Sequence, residues 1–594
     1  MDMATMTDEG NFPPRLFQGV LPAPLWAGVL ALLTGTLLTG CAGDPGERAL
    51  RGMPEFCQEA LPRVASHLSQ FPEPTGERFG GTAVAAGSGA LAGGMNALVS
   101  TDYAGNQHQT FAHLMTLVRL DEELEWAPYL ARSWSLGGDG TEMVFHLRDD
   151  VFWHDGTPTT AHDVAFTFLR ATDPETGFPN AAFWAHYIPG PEGVEVVDDH
   201  TIRLRLRPHA DAMDPWRSTS ILPRHLLEGV PPGELREHPF GTRCPVGNGP
   251  FVFVDHAADG SWTFRRNPAF PEALGGPPYL DRYVYRPIPE QTTLLAELLT
   301  GGVDVYVSPP PDQASRILET EGIHLRDYPF RGYVFVGWNT RRPQLADARV
   351  RRALTLGTNR EEVVQAVLQG YGEVANSGVP PFHWAFHEGL RGAISHDPAQ
   401  ARDLLEEAGW VDRDGDGVRE NESGERLELT IAYHPGSLQR EGIAQIMQSQ
   451  LREIGVEIRQ EVLEWGTLIS RITDPGSRNF DGVVMAWATE FRVDDSDLFH
   501  SRGADGPFGW AGIRNDRLDQ LLDTLPLMTD REEALPLWHE YQELLVELQP
   551  FTYFYYPRRL AGVSDRIQGM VNDVRGDWVN LPEWWIPVDL RGRR

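Results

Sequence analysis

Two short runs carry side chains whose type and spacing could do chemistry. Trp153-His154-Asp155-Gly156 sets an imidazole beside a carboxylate, a pair that general acid–base catalysis and metal ligation both use. No nucleophile accompanies it, and Gly156-Thr157-Pro158 spells a turn, so the pair reads as a structural corner. Asp412-Arg413-Asp414-Gly415-Asp416-Gly417 repeats the first half of a calcium loop. Asp412, Asp414 and Asp416 supply oxygens at positions 1, 3 and 5, and glycine stands at 6. Position 12 falls on Ser423, so the bidentate glutamate is missing, with Glu420 and Glu422 near enough to replace it. Calcium at this loop is the only metal or cofactor suggested; none other is expected. There is no His-Glu-x-x-His and no Gly-x-Ser-x-Gly, which argues against a hydrolase and against an enzyme generally.

Composition removes further chemistry. The chain has 594 residues and no lysine: all 51 basic residues are arginine, against 84 acidic ones, for a net charge of −33. No Walker-type phosphate lysine, pyridoxal Schiff base or lysine nucleophile can exist. A charge of −33 repels polyphosphates, so nucleic acid is not an expected partner. With 41% apolar and 23% charged residues the mix is globular, and the length suits several domains or a few large lobes.

The amino terminus reads as an address. Residues 25–38 are uncharged and mostly apolar, shorter than the roughly 20 residues a bilayer crossing needs but suited to a secretory signal. The run ends in Leu38-Thr39-Gly40-Cys41, which resembles a bacterial lipobox. That resemblance implies a signal peptide over 1–40 and acyl chains on Cys41, anchoring an extracytoplasmic protein to the membrane at the periplasm or cell surface. Arg15 stands against Asp2, Asp8 and Glu9, which leaves a later start codon open. Residues 41–78 read as a tether with one short helix around Cys57. Cys57 and Cys244 either pair as a disulfide or stay as two buried thiols.

Periodicity then locates the elements. Residues 142–148 and 201–207 alternate apolar and polar positions, the mark of half-buried strands. Asp397-Pro398 begins a helix that Gly409 ends. Ile443, Ile446, Met447, Leu451 and Ile454 stripe another helix, followed by a strand over 456–462. A long helix from about Asp530 to Pro550 is expected to bury Leu537, Trp538, Tyr541, Leu544 and Leu548. Mixed helices and strands without a repeat argue for α/β lobes.

Ordered blocks run through this pattern. Residues 130–168 read LARSWSLGGDGTEMVFHLRDDVFWHDGTPTTAHDVAFTF. After them come Ile221-Leu222-Pro223, Gly247-Asn248-Gly249-Pro250-Phe251, Arg266-Asn267-Pro268 and Asn339-Thr340. Asp347-Ala348-Arg349-Val350-Arg351-Arg352-Ala353-Leu354, Ala408-Gly409-Trp410, and Phe480-Asp481 with Trp487 complete the series. Together they resemble family 5 bacterial extracellular solute-binding proteins, the dipeptide and oligopeptide binders of ABC importers, over about residues 79–590. The resemblance implies an α/β, two-lobed periplasmic-binding-protein-like fold (type II, cluster C) with an extra subdomain inserted in the first lobe. Lobe I would comprise 79–113, 245–333 and 551–594, the inserted subdomain 114–244, and lobe II 334–550. Hinge closure over a ligand would be its working motion.

The resemblance also implies a ligand site. Peptide-binding members place an aspartate three residues after the tryptophan, against the peptide's ammonium; here Trp487 is followed by Ala488, Thr489 and Glu490. A carboxylate in a closed cleft suits that task, because an unpaired buried ammonium is costly. Val484 stands where some members have an arginine, so Arg492 is the nearest cation in sequence for the peptide carboxylate. Ala486 and Trp487 lead into this segment; Ser100, Thr101, Asp102 and Tyr103 fall where relatives run a strand beside the peptide backbone, and Trp384 could add an apolar wall. The implied partners are a peptide or other small solute and an ABC permease with its ATPases, served by a monomer. Alternatives are the same fold carrying a nickel complex, haem, an opine or an oligosaccharide, a surface sensor, or a secreted hydrolase.

Overall fold

The computed structural model describes residues 53–99, 102–138, 140–181, 184, 187–207, 212–476, 478–489, 493–528 and 530–592. Alternating and continuous apolar runs assemble one large sheet of 12 strands. In chain order these are β1 (Thr82–Gly87), β2 (Phe251–His256), β3 (Trp262–Arg266), β4 (Arg282–Pro287), β5 (Val305–Val307) and β6 (Ile323–Pro329), then β7 (Tyr333–Trp338), β8 (Gly372–Val374), β9 (Glu428–Tyr433), β10 (Glu457–Val462), β11 (Gly482–Trp487) and β12 (Phe551–Ser564). Their order is β10-β9-β11-β7-β12-β5-β1-β4-β3-β2, with β6 and β8 also pairing with β12.

β12 joins the two halves. Its first part, rich in aromatics, pairs with β7 and β8; its second part pairs with β6 and β5. Around β7 and β11 both faces are buried: Phe335, Val483 and Met485 enter one core, Val336 and Val484 another. The other half does the same, with Ala83 and Ala85 opposed to Val84 and Ala86. Strands buried on both faces read as near-continuous apolar runs, as Gly482–Trp487 does.

A separate four-stranded antiparallel sheet follows the predicted alternation: Glu142–Leu147 and Thr201–Arg205 are central, flanked by Ala131–Leu136 and Val194–Asp198. Met143, Phe145, Leu147, Ile202 and Leu204 are buried in its core. Helix α1 (Glu55–Leu68) packs Ala60, Val64 and Leu68 into the same core. The reading of 41–78 as a tether is therefore corrected over this span, because Cys57, Ala60, Val64 and Leu68 form a buried helical stripe. Cys57 is joined to Cys244 by a disulfide, the Cα atoms 5.6 Å apart, and Arg63 pairs with Asp155 at 2.9 Å.

Four further helices matter below. α2 is Tyr103–His108, α3 Ala161–Thr172, α4 Pro398–Glu407 and α5 Arg531–Leu548. Asp397 caps α4 by accepting from Gln400 N at 2.9 Å, and Asp530 caps α5 through Glu532 N at 2.8 Å. On α5 the buried stripe is Ala534, Trp538, Tyr541, Gln542 and Leu545. Leu537, Leu544 and Leu548 are only half-buried, since the inward face runs through Leu545. Among the described residues no helix is long and apolar enough to cross a membrane.

Candidate functional site

The chain passes between the two halves of the sheet at two adjacent places, residues 330–332 between β6 and β7, and Pro557-Arg558-Arg559 inside β12. They lie side by side: Tyr328 pairs with Arg559 and Pro329 with Arg558, and Phe330 N donates to Pro557 O at 3.1 Å. The carboxyl end of β11 is pressed onto this crossing. A Cβ on Gly332 would come within 2.6 Å of Trp487 O, so only glycine permits that approach. Thr489 N donates to Arg331 O at 3.3 Å. One short loop and one continuous strand thus carry the chain from one half of the sheet to the other, with the β11 end fastened beside them.

One wall of the crossing is built around Arg559. Its Nε donates to Ser308 Oγ at 2.5 Å, and its guanidinium lies 4.2 Å from the Tyr103 ring centroid and 5.3 Å from that of Phe330. Asp577 Oδ1 is 3.5 Å from Arg559 Nε and accepts the Tyr328 hydroxyl. Burial pushes the Tyr103 phenol up, Arg559 and Arg331 oppose it, and Asp577 adds to it. Asp102 turns its carboxylate onto α2, Oδ1 accepting from Gly105 N at 2.6 Å. That cap starts a helix at Tyr103, so Asp102 and Tyr103 do not belong to the strand expected here.

A second group beside the crossing carries aromatic rings and one buried acid. Trp487 pairs with Tyr333 across β11 and β7 and lies edge-on to Phe508 at 5.8 Å and Trp510 at 5.6 Å. Asp495 is 4% exposed and accepts the Tyr541 hydroxyl at 2.6 Å. Burial pushes its carboxyl up to about 6; the Tyr541 bond opposes this and Asp494 adds to it. The hydroxyls of Tyr333 and Tyr553 are buried in the same nest, and no hydrogen-bond partner reaches them among the described residues.

Of the residues singled out in the sequence, Ala486 and Trp487 meet Tyr103 and Asp102 only through the shared crossing. Trp384 is 37% exposed and faces Arg531, 5.5 Å from its ring centroid. Cys41, Ser100, Thr101, Glu490 and Arg492 lie outside the described residues. Arg559, Asp577 and Asp495 were missed. Arg559 had a faint signal, a Pro-Arg-Arg interruption in an otherwise apolar strand.

The Trp-His-Asp-Gly corner is a turn, with Gly156 N donating to Trp153 O at 2.8 Å. His154 is spent on the main chain of Gly247 and Gly249, and burial lowers it to about 4. In the acidic loop, the carboxylate oxygens of Asp412, Asp414 and Glu420 converge. Asp416 is turned away onto Arg426 at 2.5 Å, which corrects the expected trio of Asp412, Asp414 and Asp416.

Comparison with known proteins gives concordant matches. The model of the middle region of bacterial extracellular solute-binding proteins, family 5, matches residues 125–508. The oligopeptide-binding protein AppA of Bacillus subtilis is 28% identical over 497 residues, covering 83% of this chain and 89% of that protein. Heme-binding protein A of Haemophilus influenzae is 26% identical over 501 residues, covering 80% and 87%. The solved structure of the Bacillus subtilis protein with a nonapeptide superposes with a TM-score of 0.69 at 27% identity, covering 86% of this chain and 100% of that one.

Proposed function

The chain belongs to family 5 of the bacterial extracellular solute-binding proteins, and from that premise we propose that it captures peptides in a cleft between two lobes and delivers them to an ABC permease. Its fold is the two-lobed α/β fold of those proteins, with a subdomain inserted in the first lobe. In this reading lobe I comprises 79–113, 245–333 and 551–594, and lobe II 334–550. The crossing at 330–332 and 557–559 is the hinge. The single observation carrying the reading is the fastening of the β11 end to that hinge by Gly332 and Thr489, which ties the following segment to lobe closure.

In that segment Glu490 would receive the peptide ammonium and Arg492 the carboxylate, while Ser100 and Thr101 would run along the peptide. The named ligand of the Bacillus subtilis relative, a nonapeptide, supports an oligopeptide cargo. Cys41, acylated after removal of 1–40, would hold the protein at the membrane surface.

A thermal-shift titration with mixed peptides tests the cargo. Ligand at a hundredfold over its Kd should stabilise the protein by about 2.7 kcal/mol, visible as a higher midpoint. Glu490→Gln should weaken free-amine peptides at least about a hundredfold and leave N-acetylated ones nearly unchanged. If peptides give no shift, haem becomes the cargo to test, because one relative is a heme-binding protein.

A further inference from the structure

The loop between α4 and β9 carries a group that neither the fold nor peptide capture uses. One carboxylate oxygen each from Asp412, Asp414 and Glu420 lie within 4.8 Å of one another. Asp412 and Asp414 are exposed, whereas Glu420 is only 5% exposed. Its main chain is held in bridges to Val411 and Arg426, which fixes the point from which its side chain starts. Glu420 Oε2 accepts from Arg413 N at 2.9 Å. Among the described residues no hydrogen-bond donor reaches Oε1, which is buried.

The surrounding cations do not fill that place. Arg426 Nη1 stays 4.0 Å from Oε1 and is committed to Asp416 Oδ2 at 2.5 Å. Arg419 points away, to the carbonyls of Ile454 and Trp410, each at 2.8 Å. A buried carboxylate oxygen with no donor is expensive, and beside two more carboxylates more so. We propose that Asp412, Asp414 and Glu420 bind a calcium ion.

The donors are all oxygens, with no histidine or cysteine to favour a softer metal. Two of the three are open to solvent, which leaves room for the waters and higher coordination number that calcium takes and magnesium tolerates poorly. Asp412 is already oriented, its two oxygens accepting from Gly415 N at 2.7 Å and Gly417 N at 3.1 Å. Gly415 and Gly417 have φ of +78° and +91°, which lets the loop curl around the carboxylates. Glu420 thereby replaces the twelfth-position glutamate that the sequence lacks, and Asp416 serves as the tie to Arg426. The ion would clamp this loop against the start of β9, and it is independent of which cargo the cleft takes.

Terbium luminescence excited through tryptophan, with Trp410 beside the loop, tests the site on the full chain. A saturable signal should appear and be displaced by calcium at about 10⁻⁴–10⁻³ M, the range of extracellular sites, with magnesium at least about tenfold weaker. Glu420→Gln and the solvent-exposed Asp414→Asn should each weaken the signal at least about tenfold, and calcium should raise the unfolding midpoint of the parent but not of Asp414→Asn. Terbium signal within about threefold of the parent in Asp414→Asn, or no displacement by about 10 mM calcium, overturns the assignment. Asp414→Asn decides the matter alone if Glu420→Gln does not fold.

Discussion

Asp155 in the inserted subdomain and Asp495 beside the sheet crossing are comparably buried, at 7% and 4% exposed, yet they titrate at opposite ends of the carboxylate range. Burial works to raise Asp155, but the hydrogen bond and charge of His225 at 3.0 Å and the bonds from Thr157 bring it down to about 2. Arg63 of α1 adds an ion pair at 2.9 Å. Asp495 has phenols where Asp155 has cations, and burial takes it up to about 6. Depth alone does not set a buried acid's charge; its partners do. Asp155 ties Arg63 of α1 to His225, whereas Asp495 is held by the Tyr541 hydroxyl.

The largest expected effect sharpens the first half of that contrast. Asp155→Asn should lower stability by about 2 kcal/mol near neutral pH, because Arg63 and His225 lose a shared partner. Asp155 is depressed from 3.8 to about 2 in the folded protein, so its contribution is complete above the unfolded value and lost as pH falls through about 2. Denaturant melts of parent and variant should therefore converge in acid. A variant as stable as the parent at neutral pH would make the pair ornamental.

Asp495→Asn should act with the opposite sign. Its folded value lies above the unfolded 3.8, so ionisation costs stability above about pH 6 and the cost disappears as pH falls toward 3.8. The variant should gain about 1–2 kcal/mol at pH 8, shrinking to nothing near pH 4. A loss at pH 8 would mean that the Tyr541 bond outweighs desolvation, and the contrast between the two acids would collapse.

The smallest effect belongs to an exposed pair that lacks burial altogether. Glu125 meets Arg531, at the start of α5, at 2.9 Å, with side chains 57% and 52% exposed. Arg531→Ala should change the melting free energy by less than about 1 kcal/mol, and the difference should vanish in about 0.5 M salt. A larger, salt-resistant loss would show that this contact is dry and place it with Asp155.

Much of this was readable from local pattern. Alternation located Glu142–Leu147 and Thr201–Arg205, and the caps Asp397 and Asp530 began their helices where expected. Ordered motifs identified the family, and with it the two-lobed arrangement. The helix over Glu55–Leu68 was underestimated because its stripe needs a distant core to become visible.

Local spacing, caps and motif order were determined by the amino-acid sequence itself, because hydrogen-bonding reach and side-chain period act over a few residues. The fastening of Trp487 onto Gly332, the stacking of Arg559 on Tyr103 and the phenol nest of Asp495 were decided only in the tertiary structure. Each depends on which remote groups share a buried volume. Desolvation and charge pairing act through space, so no spacing along the chain encodes them directly.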